Sequence, residues 1–300
     1  MEAFLHQVMA GLATGGVYAS LALALVMIYH ATHLVNFAQG EMAMFSTYLA
    51  WSLIDAGMPY WPAFALTVGI SFVAGIVIER VVIRPVEHAP VLAVVVVFIA
   101  LLVILNSVAG WIYTYTIKPF PSPFPQEMAL GRFMSPHELG AIGVTLLVLV
   151  ALFLFFRFTP LGLAMRAAAQ NPASARLVGI RVGWMLALGW GLAAAVGAVA
   201  GMMMAPIVYL DPNMMAGILL YAFASALVGG IGNPGGAVVG GFIVGVLENM
   251  VAYAGNMIEK ETGVYIIGNG EKLTVALIIV IFVLTVKPAG LFGRVVVKRV

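Results

Sequence analysis

Residues 91–117 run for 27 positions without a single Asp, Glu, Lys, Arg or His. A stretch that long and that apolar has few places to go. Its backbone must satisfy its own hydrogen bonds, and its side chains need lipid or a very large core around them. Apolar segments recur at 8–29, 42–54, 63–83, 91–117, 139–156, 184–209, 214–231, 237–257 and 273–286, with no polar block of domain size between them. Only 9% of the 300 residues are charged, against about 25% in a typical soluble domain. The chain therefore reads as an all-α, polytopic transmembrane helical bundle of eight or nine spans, forming a single transmembrane domain over 1–300.

Segments 42–54 and 273–286 are shorter than the about 20 residues that a simple span needs. They must stand nearly upright, thin the bilayer locally, or be broken helices buried in protein. Segment 214–231 contains Gly217 and runs into "GGIGNPGG", so it reads either as one span or as two half-helices. The 33 glycines suit helices that pack backbone to backbone, because in lipid no water drives apolar faces together. The opening "MEAFLHQ" lacks a basic region, and the apolar run after it is long, which predicts a first span rather than a cleaved signal peptide.

Orientation follows from the basic residues. With the C-terminus cytoplasmic, nine crossings place Lys287, Arg294, Lys298, Arg299, Arg157, Arg166, Arg176, Arg181, Arg80 and Arg84 inside, ten of fourteen. Lys118, Arg132, Lys260 and Lys272 fall outside, mixed with Glu127, Glu138, Glu259, Glu261 and Glu271. The expectation is an N-terminus outside and a C-terminus in the cytoplasm. Tyr60, Trp61, Trp111, Tyr113, Tyr115 and Tyr209 would then form an outer aromatic belt, and the Pro-rich "KPFPSPFPQE" at 118–127 an external, semi-rigid loop.

Signatures of enzymes are missing. The chain has no cysteine, which excludes disulfides, thiolate catalysis and Cys-ligated metal. It has no G-x-x-x-x-G-K-[ST] phosphate loop; "GNGEKLT" from Gly268 has the wrong spacing. His6, His30, His33, His88 and His137 lack zinc-ligand spacing and read as polar groups at span ends. There is no G-x-S-x-G elbow. No catalytic residue, metal site or cofactor is expected in this chain.

Three polar islands remain. The first is "HLVNFAQGEMAMFSTY", 33–48. The second is "TPLGLAMRAAAQNPASARLVGIR", 159–181, part of a stretch with no acid between Glu138 and Asp211. Within it, Pro172 disfavours helix at Asn171, so two short helices should meet there. The third, "ALVGGIGNPGGAVVGGFIVGVLEN" at 226–249, holds the pairs Gly236/Gly240 and Gly241/Gly245, a glycine face suited to close packing or to a substrate passage.

In order, the islands resemble one family, the branched-chain amino acid type of ABC transporter permease, the high-affinity amino acid uptake permeases. Its early "Y-A-L-x-A-x-G" span and "N-F-A-H-G-E" are similar to "VYASLALALVMIY" and Asn36-Phe37-Ala38-Gln39-Gly40-Glu41. Its "E-R-x-x-Y-R-P" is similar to Glu79-Arg80-Val81-Val82-Ile83-Arg84-Pro85. Its "G-x-A-x-R-A-x-x-x-N-x-x-x-A-x-L-x-G-I" resembles 162–180, its "G-G-I-G-[SN]-x-x-G-A-x-x-G-G-x-x-x-G-x-x-E" resembles 229–248, and its "P-x-G-L-F-G" resembles 288–293. Gln39 stands where the family has His, Ile83 where it has Tyr, and the fourth span lacks the family's "T-x-G".

The resemblance implies the permease subunit of an ATP-driven importer for branched-chain amino acids or a related small polar solute, providing half of the translocation pathway. It also implies a second related permease subunit, two ATP-binding subunits that hold the ATP, and a periplasmic or extracellular substrate-binding protein. The implied location is a bacterial or archaeal plasma membrane, the inner membrane in a Gram-negative cell. Segment 157–183 reads as the cytoplasmic coupling piece, with Arg166, Gln170, Asn171, Pro172 and Arg176 facing an ATPase, or else as a basic loop touching anionic lipid. Candidate pathway-lining residues are Asn36, Gln39, Glu41, Gly236, Gly240 and Glu248.

A carboxylate inside a membrane needs a partner or water. Glu248 reads as a contact near the path or gate, or as a structural link. Glu41 suggests a cap on the first turn of the second span. Glu79, Arg80 and Arg84 suggest an interfacial ion-pair cluster with Pro85 ending the helix. Met202–Met204 reads as adaptable packing. The rival reading is a secondary transporter or channel using Glu41 and Glu248 as ion-coupling sites.

Overall fold

A computed structural model describes residues 2–32, 34–87, 89–125, 135–262 and 272–293. His33, His88, Glu127, Arg132, Glu271, Arg294, Lys298 and Arg299, together with the start of "GNGEKLT", lie outside the described residues. Among those described, the helices are α1 (Glu2–Thr32), α2 (Gln39–Asp55), α3 (Tyr60–Ile78), α4 (Val91–Tyr113), α5 (Pro136–Phe158), α6 (Pro160–Gln170), α7 (Pro172–Leu177), α8 (Val182–Val208), α9 (Met214–Gly229), α10 (Pro234–Thr262) and α11 (Lys272–Val286). Each of the nine apolar segments of the sequence coincides with one helix, and 214–231 is a single helix rather than two halves. Six are long and apolar enough to cross a membrane. The other three, α2, α9 and α11, have 17, 16 and 15 residues.

The most apolar long helices are the least covered. In the most apolar 18-residue stretch of α4 and of α5, 17% of the residues are buried, against 83% in α1 and 78% in α8. In water this would be a packing failure; in lipid, apolar outer faces need no cover, and small residues go where helices meet. Val96, Val103, Leu147 and Phe153 are among the outward side chains.

The chain divides into two compact units. One comprises Met1–Val26, Ser122–Val144 and Gly217–Val300; the other comprises Met27–Pro121 and Thr145–Ala216. Three of the four boundaries fall inside α1, α5 and α9, so these helices contribute to both.

In the first unit, α1 and α10 meet backbone to backbone. A Cβ on Gly11 would stand 2.8 Å from the Val246 Cα, and one on Gly245 or Gly241 would collide with Gly15 or Ala19. Gly236 and Gly240 meet α9 in the same way: a Cβ on Gly240 would collide with the Ser225 carbonyl, and one on Gly236 would lie 2.5 Å from the Gly229 carbonyl. Between α9 and α10 the chain turns at Gly230, whose φ of +105 suits glycine. The Asn233 side chain accepts from Gly236 N–H (3.1 Å) and donates to the Phe292 carbonyl (3.0 Å). Leu291 and Phe292 N–H groups cap the Val228 and Gly229 carbonyls. "GGIGNPGG" and "PAGLFG" are therefore two halves of one turn.

In the second unit, α8 packs along α3 and α2. A Cβ on Gly75 of α3 would stand 2.6 Å from the Trp190 carbonyl, and one on Gly191 would stand 2.8 Å from the Phe72 carbonyl. On the side facing α2, Gly197 makes room for the Gln39 amide, and Gly201 for Thr47. Helix α3 does not simply end at Pro85. It widens into one π-turn over Glu79–Ile83 and a 3-10 turn over Arg84–Val86.

Candidate functional site

Asn36, Gln39 and Glu41 come together where the connection after α1 enters α2. Asn36 Oδ1 accepts from the Ala38 N–H (3.0 Å), a tight Asx turn that starts the helix. Its Nδ2 donates to Gln39 Oε1 (3.4 Å), and Gln39 Nε2 donates to the Ala193 carbonyl on α8 (2.9 Å). Both amides are fully buried. Through Gln39 this pair ties the start of α2 to α8.

Glu41 differs from expectation. No side chain caps α2, whose N-cap is Ala38; the Glu41 carboxylate instead accepts from Asn106 Nδ2 on α4 (3.4 Å). The same amide donates to the Pro212 carbonyl (2.8 Å) and approaches Asn213 Oδ1 (3.3 Å), while Asn106 Oδ1 accepts from Tyr115 (3.2 Å). An NH₂ group has two hydrogens for these three acceptors. The shortest contact is the one to backbone, so Glu41 has the weakest claim. Sequence reasoning missed Asn106, although a lone amide inside 91–117 is the kind of intramembrane polar group that signals a site.

Glu248 lies in the first unit, 6% exposed. Its Oε2 accepts from the Tyr18 hydroxyl on α1 (2.9 Å), and Tyr221 of α9 lies against Tyr18. The two phenol rings stack at 4.9 Å between centroids. One residue on, Asn249 donates to Thr14 (3.2 Å) and to the Gly245 carbonyl (2.9 Å). These contacts fasten α10 to α1, and α1 to α9. Neither tyrosine was singled out, because each lies in a run that reads as an ordinary apolar span. Gly236 and Gly240 face the α9 backbone, as described above, so the contacts seen for them are helix packing.

The 157–183 segment forms two short helices joined at Asn171, as the Asn-Pro step predicts. Thr159 caps α6 by accepting from Gly162 N–H (3.0 Å), with Pro160 at the first helical position. Asn171 closes α6 through its own N–H to the Ala167 carbonyl and opens α7 by accepting from Ser174 N–H (2.9 Å). Gly162, Met165, Ala168 and Ala175 point inward, and Ala168 and Ala175 join Val182 in a small core. Arg166, Gln170, Asn171, Pro172 and Arg176 are all exposed. Leu177 and Val178 beside them are 88% and 76% exposed. The segment is a knob of two capped short helices on a small core, with Leu177 and Val178 exposed beside Arg176.

At the end of α3, Arg80 Nε lies 3.6 Å from Glu79 Oε2, and its guanidinium stacks over Trp184 at 4.0 Å. The Arg84 guanidinium packs on Gly183. The aromatic residues gather as pairs and triplets: Tyr48 stacks on Tyr113 (4.4 Å), Lys118 lies over Trp51 (4.7 Å), and Tyr60 contacts Trp61, Phe64 and Phe120. Among the described residues, no group of three His, Asp or Glu side chains could hold a metal ion.

The family described as branched-chain amino acid transport system / permease component matches residues 7–286. The high-affinity branched-chain amino acid transport system permease protein LivH of Escherichia coli (strain K12) is 31% identical, over 99% of this chain and 98% of its own length. BraD, the corresponding permease protein of Pseudomonas aeruginosa, is 30% identical over 99% of this chain and 98% of its own. A probable LivH of Methanocaldococcus jannaschii is 28% identical, over 91% and 87%. With a match that spans nearly every helix and relatives of the same length, the chain belongs to the branched-chain amino acid transport permease family.

Proposed function

We propose that this permease provides half of the pathway of an ATP-driven importer whose solute is a branched-chain amino acid or a closely related small polar molecule. The observation that carries the reading is the unbroken family match over 7–286. The polar islands of the chain fall at helix junctions, and nothing in its sequence binds a nucleotide. A second related permease completes the pathway, two ATP-binding subunits drive it, and an external binding protein delivers the solute. The N-terminus faces outside and the C-terminus the cytoplasm of a bacterial or archaeal plasma membrane. The meeting of α3's Arg80 and Arg84 with Gly183-Trp184 supports placing 79–87 and 157–183 on one side.

The knob over 157–183 is the coupling surface. Its exposed Leu177 and Val178 suit an apolar groove on an ATPase, and Arg166 and Arg176 suit acidic groups at the rim of that groove. Hydrolysis drives transport only if nucleotide stabilises the inward and outward states unequally, and a stiff knob transmits that difference better than a loop.

The test is reconstitution of the four-part complex in liposomes with the binding protein. ATP-dependent leucine uptake supports the reading; uptake without the ATPase subunits that follows a proton gradient supports ion coupling at Glu41 or Glu248 instead. Arg166→Glu should leave membrane insertion intact and abolish co-purification of the ATPase. Normal co-purification and uptake in that variant would overturn the coupling role.

A further inference from the structure

Beside the coupling knob lies an open, apolar groove of about 400 Å³, lined by Ala164, Ile180, Arg181, Trp184, Met185 and Leu188. Its walls are two elements of the same unit, α6 and the start of α8. Trp184, half-exposed, is the shared wall between this groove and the end of α3, where Arg80 stacks on its ring and Arg84 packs on the neighbouring Gly183. Arg181 lines the groove, and Arg80 and Arg84 touch the next residues, Trp184 and Gly183, so three arginines surround the start of α8.

The electrostatics of that end are incomplete. Nε and Nη2 of Arg80 are buried without a hydrogen-bond partner among the described residues, although Glu79 lies near enough to offset the charge. Arg84 and Arg181 have no ion pair among the described residues. Glu79 and Glu87 are the acids at this end of α3, and no acid follows between Glu138 and Asp211. The Arg80 nitrogens are covered by protein, so they add positive charge from behind Trp184, whereas the exposed Arg84 and Arg181 can each meet a phosphate with two oxygens at once. A basic, Trp-flanked groove at the start of a membrane helix, opening onto an apolar trough, has the chemistry of a lipid headgroup site.

We propose that this groove binds an anionic phospholipid. The phosphate lies at the exposed Arg181 and Arg84, with Arg80 adding charge from behind Trp184, and an acyl chain runs along Ala164, Met185 and Leu188. The lipid would brace the knob's root, since Ile180 and Met185 also pack on the Ala168–Ala175 core. The site is independent of which solute the permease carries.

The test uses the purified full chain in detergent, with native mass spectrometry counting bound dioleoyl-phosphatidylglycerol against dioleoyl-phosphatidylcholine. The wild type should retain phosphatidylglycerol in preference. Arg181→Gln, at an exposed side chain that leaves the core untouched, should weaken its retention by about five-fold, the worth of one basic residue at an anionic surface. Arg84→Gln should do the same, Arg181→Lys should keep most of the preference, and Lys118→Gln, distant on Trp51, should change nothing. Equal retention of the two lipids by the wild type, unchanged preference in Arg181→Gln, or displacement by inorganic phosphate alone would overturn the proposal.

Discussion

Glu248 and Glu41 are both carboxylates buried among apolar helices, yet they are held in opposite ways. Glu248 receives the hydroxyl of Tyr18, whose ring is stacked on Tyr221, and its own helix is locked to α1 by glycines one and two turns before it. Glu41 stands in the first turn of a 17-residue helix and shares one amide with two other acceptors. The burial of the two is nearly equal, so burial does not separate them. What separates them is whether the donor is shared and how firmly it is held. The first arrangement is a clasp; the second is a junction that can trade partners without loss of packing.

Gly245→Leu gives the sharpest break, because the side chain has no space beside the Gly15 backbone. Overpacking of this kind costs about 1–3 kcal/mol or more, and the expected outcome is a large loss of monodisperse protein in size-exclusion chromatography. A yield equal to wild type would mean that α1 and α10 separate freely. Glu248→Leu comes next, stranding the buried Tyr18 hydroxyl at about 1–3 kcal/mol. Its thermal midpoint should fall by several degrees, and Glu248→Gln, which keeps an acceptor, should recover most of it. Asn106→Ala should cost least in stability, about 0.6 kcal/mol for an interhelical bond in lipid. Its effect should appear instead as altered uptake in liposomes at nearly unchanged melting. If Asn106→Ala destabilises as much as Glu248→Leu, the two sites are of one kind after all.

The sequence makes the helices and the knob legible because both are set by neighbours along the chain. Long apolar runs with few or no charges mark the long helices, and the Asn171-Pro172 step predicts a break that the Asn171 side chain then caps. Glu41's role was misread for the opposite reason. A carboxylate in a first turn suggests a cap, whereas its observed partner is 65 residues away. Tyr18 meets Glu248 across 230 residues, and no local pattern marks that pairing. The π-turn over Glu79–Ile83 escaped as well: a proline ahead predicts where a helix must stop, but not that its last turn widens first.

The small residues on α8 that receive Gln39 and Thr47 have one more consequence. Ala193, Gly197, Gly201 and Ala205 recur at every fourth position, but only the middle two lack a methyl. Moved by one such step, about 6 Å, α2 would set an alanine methyl against Thr47 in one direction or Gln39 in the other, where a Cβ would collide with the Thr47 hydroxyl or stand 2.8 Å from the Gln39 amide. Two missing methyls and one amide therefore fix the register of this seam together: Gly197, Gly201, and Gln39 pegged to the carbonyl of Ala193.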